Sequence, residues 1–323
     1  MDLINKYKML TYALVLGIIF AVSSAGAADF TNSSSGTINN KGTLRIKGDR
    51  NFRNAANYEN IINEGTFEFT GNGKFTDAPE EPLNDDEDGS TALGKDATWR
   101  VPGTTLWSGT AAQTLQPRWY EDLSTDNGGV KSFYDGSFYV SGVYAPLDGD
   151  RDYGTSNFYY DGSTAQYIVG ENGMIGDNNI YYNLIVLNEG AKTVQEGQTV
   201  NVSDSVHVDA SATSILTING VLNSFNKMTQ EASAGTIIVG PNTGPNTGQL
   251  LLGEGESVFN SVVNVDGVLV TEDVGLAKFK NNLTVNTGGL VNIKSGDVLI
   301  DTNATLALAT DASLDVDADR TMT

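Results

Sequence analysis

The chain has 323 residues, 36 of them glycine and none cysteine, with a formal net charge of −21 and a single histidine. Without cysteine there is no disulfide framework, thiolate metal site or thiol chemistry, and a surface this acidic repels nucleic acid and anionic lipid. Abundant Gly, Asn, Thr and Ser, with few Lys and Glu, predict short strands joined by tight turns rather than helices.

Residues 1–27 read as a secretory signal. Lys6 and Lys8 form a basic start, residues 9–22 an uncharged, largely apolar stretch, and Ala25-Gly26-Ala27 the small residues that a signal peptidase reads. Cleavage after Ala27, export, and no transmembrane span after removal of the signal are the expectations.

Residues 28–77 read as regular rungs. INNKGTLRIKG (38–48) and IINEGTFEFTG (61–71) match through Asn40/Asn63, Gly42/Gly65, Leu44/Phe67, Ile46/Phe69 and Gly48/Gly71, at an offset of 23 residues. That period is about one coil of a β-helix, and the alternation of apolar with polar residues puts one side of each strand in a core. The Asn-x-Gly before each strand is expected to supply a positive φ at a tight corner. Residues 78–98 form an acidic loop or linker, opening with APEEPLNDDEDG.

Residues 99–180 hold all three tryptophans and contain most of an internal repeat. WSGTAAQTL (107–115) aligns with YDGSTAQYI (160–168). Downstream, Tyr120, Leu123, Asn127, Gly129 and Lys131 align with Tyr181, Leu184, Asn188, Gly190 and Lys192, and a partial third copy places Asn282, Leu283, Val285 and Gly289 against Asn183, Leu184, Val186 and Gly190. Repetition on this scale predicts stacked units that close one core between them.

Exposed rings stack on the apolar faces of sugars, and among Trp99, Trp107, Trp119, Tyr134, Tyr139, Tyr159 and Tyr160 the candidate glycan-binding residues are Trp107, Trp119, Tyr139 and Tyr160. LDGDRDYG (147–154) places Asp148, Asp150 and Asp152 at alternate positions, a pattern that can turn several oxygens onto calcium. Tyr153 stands where an EF-hand loop requires glycine. No cofactor other than this possible calcium is implied.

From 181 to 323 strands of four to six residues alternate with Asn, Gly and Asp corners, as in SILTINGVLNSF and SVVNVDGVLV. The expected fold is therefore all-β, a right-handed parallel β-helix (β-solenoid) with an aromatic-rich, less regular middle part. The order Y-D-G-S-x-A-Q-x-I (160–168), then Y-Y-N-L-x-V (181–186) through Gly190, Lys192 and Thr193, then the rung 216–222, resembles a repeat of bacterial extracellular β-solenoid surface proteins, the large adhesin-like and autotransporter-passenger-like chains. The resemblance implies a scaffold, adhesin or matrix component and carries over no catalytic residue.

Parallel β-helices also host polysaccharide lyases and hydrolases. Arg45-Ile46-Lys47 matches a tripeptide of pectin-cleaving hydrolases of the β-helix fold, but no Asn-Thr-Asp, Gly-Asp-Asp or Gly-His-Gly accompanies it. Alternation instead places Arg45 and Lys47 on the solvent side. His207, between Val206 and Val208, should also point into water, and no Gly-x-Ser-x-Gly elbow offers it a nucleophile. The expected function is an exported, non-enzymatic structural or adhesive protein of the cell surface or matrix, with glycans, matrix or copies of itself as partners. A carbohydrate-active β-helix lyase or hydrolase, and a self-assembling extracellular fibre subunit, are the alternatives.

Overall fold

The computed structural model describes residues 30–32, 38–54, 61–73, 75–77, 101–115, 117–133, 135–147, 150–170, 180–209, 215–232, 234–241, 247–272, 275–317 and 323. The signal segment 1–27 and the acidic loop 78–98 lie outside them. Among the described residues there is no helix, and the strands stack in parallel as a β-solenoid of about ten turns.

The coil is plainest in the C-terminal half, where each turn contributes one strand to each of three faces. One turn consists of Leu216–Ile218, Val221–Ser224 and Lys227–Gln230. The next repeats it with Ile237–Val239, Gln249–Leu252 and Glu256–Phe259, each strand pairing in parallel with the one below. Strands of three or four residues between corners expose alternate side chains inward, so like residues pile into columns. Leu222, Leu250, Leu269 and Val291 form one such column, each wholly enclosed. A side chain of this size contributes about 1.5–3 kcal/mol when fully buried, so each turn is held mainly by its neighbours.

Toward the N-terminus the columns become aromatic. Thr43–Ile46 pairs with Thr66–Phe69 at the offset of 23 read in the sequence, and Phe69 then stacks on Trp107 with ring centroids 5.2 Å apart. The middle part is threaded into the same stack but is less regular. On one face Gln113–Leu115, Lys131–Phe133 and Arg151–Asp152 form a short sheet of their own, and a separate seven-stranded sheet starts at Gln166–Ile168.

Two sequence expectations need correction. Gly42 and Gly65 do not carry a positive φ; the left-handed residue of that rung is Gly48, at φ 67°. Gly65 is required for closeness instead, since a Cβ there would lie 2.0 Å from the Gly42 carbonyl oxygen of the coil below. The third repeat copy is also not structurally equivalent. Leu184 sits between Phe158 and Val206, whereas Leu283 sits between Val263 and Leu306 in a different sheet, so the shared letters reflect a strand-corner-strand pattern one face apart.

Candidate functional site

The residues that define the internal repeat build a corner, twice. Gln113 accepts from the Gly109 N–H at 2.7 Å and donates to the carbonyls of Phe69 and Gly71 in the coil below. Gln166 does the same with the Gly162 N–H and the carbonyls of Val140 and Gly142. The coil above then closes each corner. Asn127 and Asn188, at φ 67° and 61°, donate to the carbonyls of Ser108 and Asp161. Lys131 and Lys192 turn inward, and their ammonium groups donate to the carbonyls of Gly109 and Gly162 at 2.7 and 2.8 Å. Both lysines are wholly enclosed, and burial lowers Lys192 to about 8 against the opposing pull of Asp161. The repeat is thus a device that satisfies buried backbone groups where the chain turns, and its residues are structural.

The corners fix the phase of the strands around them, and this decides which rings face outward. Trp107 and Tyr160 lie in the core with about 1 % and none of their surface exposed, so neither offers a ring to a glycan. The Tyr160 hydroxyl instead pairs with that of Tyr181 at 3.0 Å. Trp119 and Tyr139 do face outward, and the register sets Tyr159 beside them. Trp119, Tyr139 and Tyr159 occupy one outward row on successive turns, with centroids 4.6 and 4.1 Å apart. Tyr139 therefore has a ring against each of its faces. Tyr159 matches Tyr139 in the strands SFYV and NFYY, so the two share a side.

Beyond Tyr159 the same row continues as Ile185, His207 and Thr229. Ile185 is shorter than the groups on either side, and the step leaves an open concavity of about 320 Å³. Asn157, Asn183, Ser205 and Lys227 line one edge of it. The Asn183 side-chain amide donates to the Asn157 carbonyl oxygen at 2.8 Å, and the Ser205 hydroxyl donates to that of Asn183. At the far end His207 Nε2 lies 3.8 Å from Asp209 and 3.7 Å from Glu231, both partly exposed. His207 faces water as the alternation required.

The other sequence candidates fall apart from this row. Arg45 and Lys47 are exposed, and Arg45 pairs through Nε with Glu68 at 2.6 Å, whose second oxygen accepts from Ser108. Asp148 lies outside the described residues. Asp150 is exposed, while Asp152 accepts from the Gly154 N–H in a local turn. Tyr153 explains why this loop departs from the EF-hand pattern: it is buried, with its hydroxyl 3.0 Å from that of Tyr144. Among the described residues no group of three or more His, Asp or Glu could hold a metal ion, and no helix is long and apolar enough to cross a membrane.

Comparison with known proteins gives no counterpart: no family model matches the chain, and neither a curated protein nor a solved structure matches it.

Proposed function

We propose that this chain is an exported structural or adhesive protein of the cell surface or extracellular matrix, in which the solenoid serves as a rigid support for an outward contact row. The observation that carries this reading is the uninterrupted parallel pairing from the rungs at 43–46 through 313–316, which holds Trp119, Tyr139 and Tyr159 in line on one side. A row fixed at the coil spacing of about 4.8 Å presents its contacts without further ordering cost, and weak contacts repeated along a rigid body add through effective concentration. The acidic surface keeps such bodies apart and favours uncharged partners or cations.

Expression of the full chain in a secreting bacterial host, followed by fractionation and N-terminal sequencing, tests this reading. A product beginning at Ala28 outside the cytoplasm is expected. An uncleaved chain retained in the cytoplasm overturns it.

A further inference from the structure

We propose that the concavity between Tyr159 and His207 binds one pyranose residue of a neutral oligosaccharide, an assignment that rests on the extracellular reading above. Three independent features converge on it.

The first is shape. Coils stack at about 4.8 Å, so Tyr159 and His207, two turns apart, stand roughly 10 Å from one another with only Ile185 between them. The resulting volume of about 320 Å³ is at the small end of the roughly 300–1,000 Å³ spanned by small-ligand sites.

The second is the free ring. Tyr139 covers one face of Tyr159 at 4.1 Å and 16°, and the opposite face turns toward the Ile185 turn. Aliphatic C–H groups of a sugar pack on such a face, and the apolar floor of Ile185 continues it.

The third is the polar edge. In the row Asn157, Asn183, Ser205, the side-chain carbonyls of both asparagines already accept hydrogen bonds, which fixes the amides in orientation. The Asn157 amide N–H groups have no partner among the described residues and remain as donors for sugar hydroxyls. The Lys227 ammonium at the end of the edge adds a further donor. Asp209 and Glu231 beside His207 make the far end anionic, and the chain as a whole carries −21, so an uncharged sugar is favoured over an acidic one.

The test uses purified protein and saturation-transfer NMR with cellohexaose, maltohexaose, mannohexaose and chitohexaose as neutral probes and trigalacturonate as the acidic probe. Transfer to at least one neutral hexasaccharide is expected, with affinity about tenfold weaker in both Tyr159→Ala and Ile185→Tyr. Ile185→Tyr fills the concavity while leaving every hydrogen-bonding residue in place, and an unchanged denaturation midpoint verifies that it folds. No transfer to any neutral probe, transfer to trigalacturonate alone, or an affinity in both variants equal to that of the unaltered protein overturns the assignment. Binding abolished by Trp119→Ala and untouched by the other two would also overturn it, placing the glycan on the upper ladder while leaving the extracellular reading intact. Cytoplasmic retention in the export experiment would remove that reading without affecting the binding measurement.

Discussion

At the scale of single residues, the enclosed polar groups carry the sharpest consequences. Gln166→Ala removes one acceptor and two donors at once; it leaves the Gly162 N–H and the Gly142 carbonyl without their partner and the Val140 carbonyl with only the Asp161 N–H. A cost of about 3 kcal/mol follows from typical penalties for unsatisfied buried groups, to be measured as a fall in urea midpoint. Lys192 gives a pH dependence. Burial lowers it to about 8 in the folded chain against an ordinary 10.5, so between these values the unfolded chain holds more protons and stability rises with pH. The denaturation midpoint should climb from neutral pH toward pH 10, and Lys192→Met should flatten that climb. Above pH 10 the trend reverses. Burial holds the hydroxyls of Tyr120, Tyr144, Tyr160 and Tyr181 protonated in the folded state, so only the unfolded chain gains by ionising them.

At the scale of the strand and corner, glycines mark where one coil rests on another. A Cβ at Gly65 would meet the backbone of Gly42 at 2.0 Å, whereas a Cβ at Gly42 meets nothing within 4 Å and its φ is not positive. Gly65→Ala should therefore lower stability by about 2 kcal/mol or more, and Gly42→Ala should change it by no more than about 0.5 kcal/mol, both by thermal denaturation. Gly190→Ala should resemble Gly65→Ala, because its Cβ would lie 1.9 Å from the Thr164 carbonyl oxygen. Much at this scale was legible in the sequence. The 23-residue offset gave the register of Thr43–Ile46 on Thr66–Phe69, and alternation gave the inward side of Val206 and Val208. The role of the Asn-x-Gly pair was not legible, since a glycine kept for contact with another coil looks the same as one kept for its own φ.

At the scale of the whole molecule, about ten turns at roughly 4.8 Å make a stack roughly 50 Å long. Each turn contacts chiefly the turns beside it, so denaturation need not be all-or-none. Hydrogen exchange should show protection graded along the stack, highest in the enclosed central columns such as Leu222–Leu250–Leu269. It should be lowest in the last described turn, where Leu308 and Val316 are 48 % and 38 % exposed. Uniform protection from end to end would contradict this.

The period, the parallel stack and the alternation follow from local spacing that recurs along the chain, and so are written in the residues alone. The sequence also marks Gln113, Gln166, Lys131 and Lys192 as repeated, without saying that they point inward. Which member of the Tyr159–Tyr160 pair is buried depends on contacts between coils. A period of two assigns opposite sides to neighbours but leaves their phase open, and that phase is set by the Gly162–Gln166 corner bonding to the coil that ends at Gly142. The concavity at Ile185 has the same origin. It exists because a short side chain from one turn falls between long ones from the turns on either side, a juxtaposition of residues more than twenty positions apart that no local pattern contains.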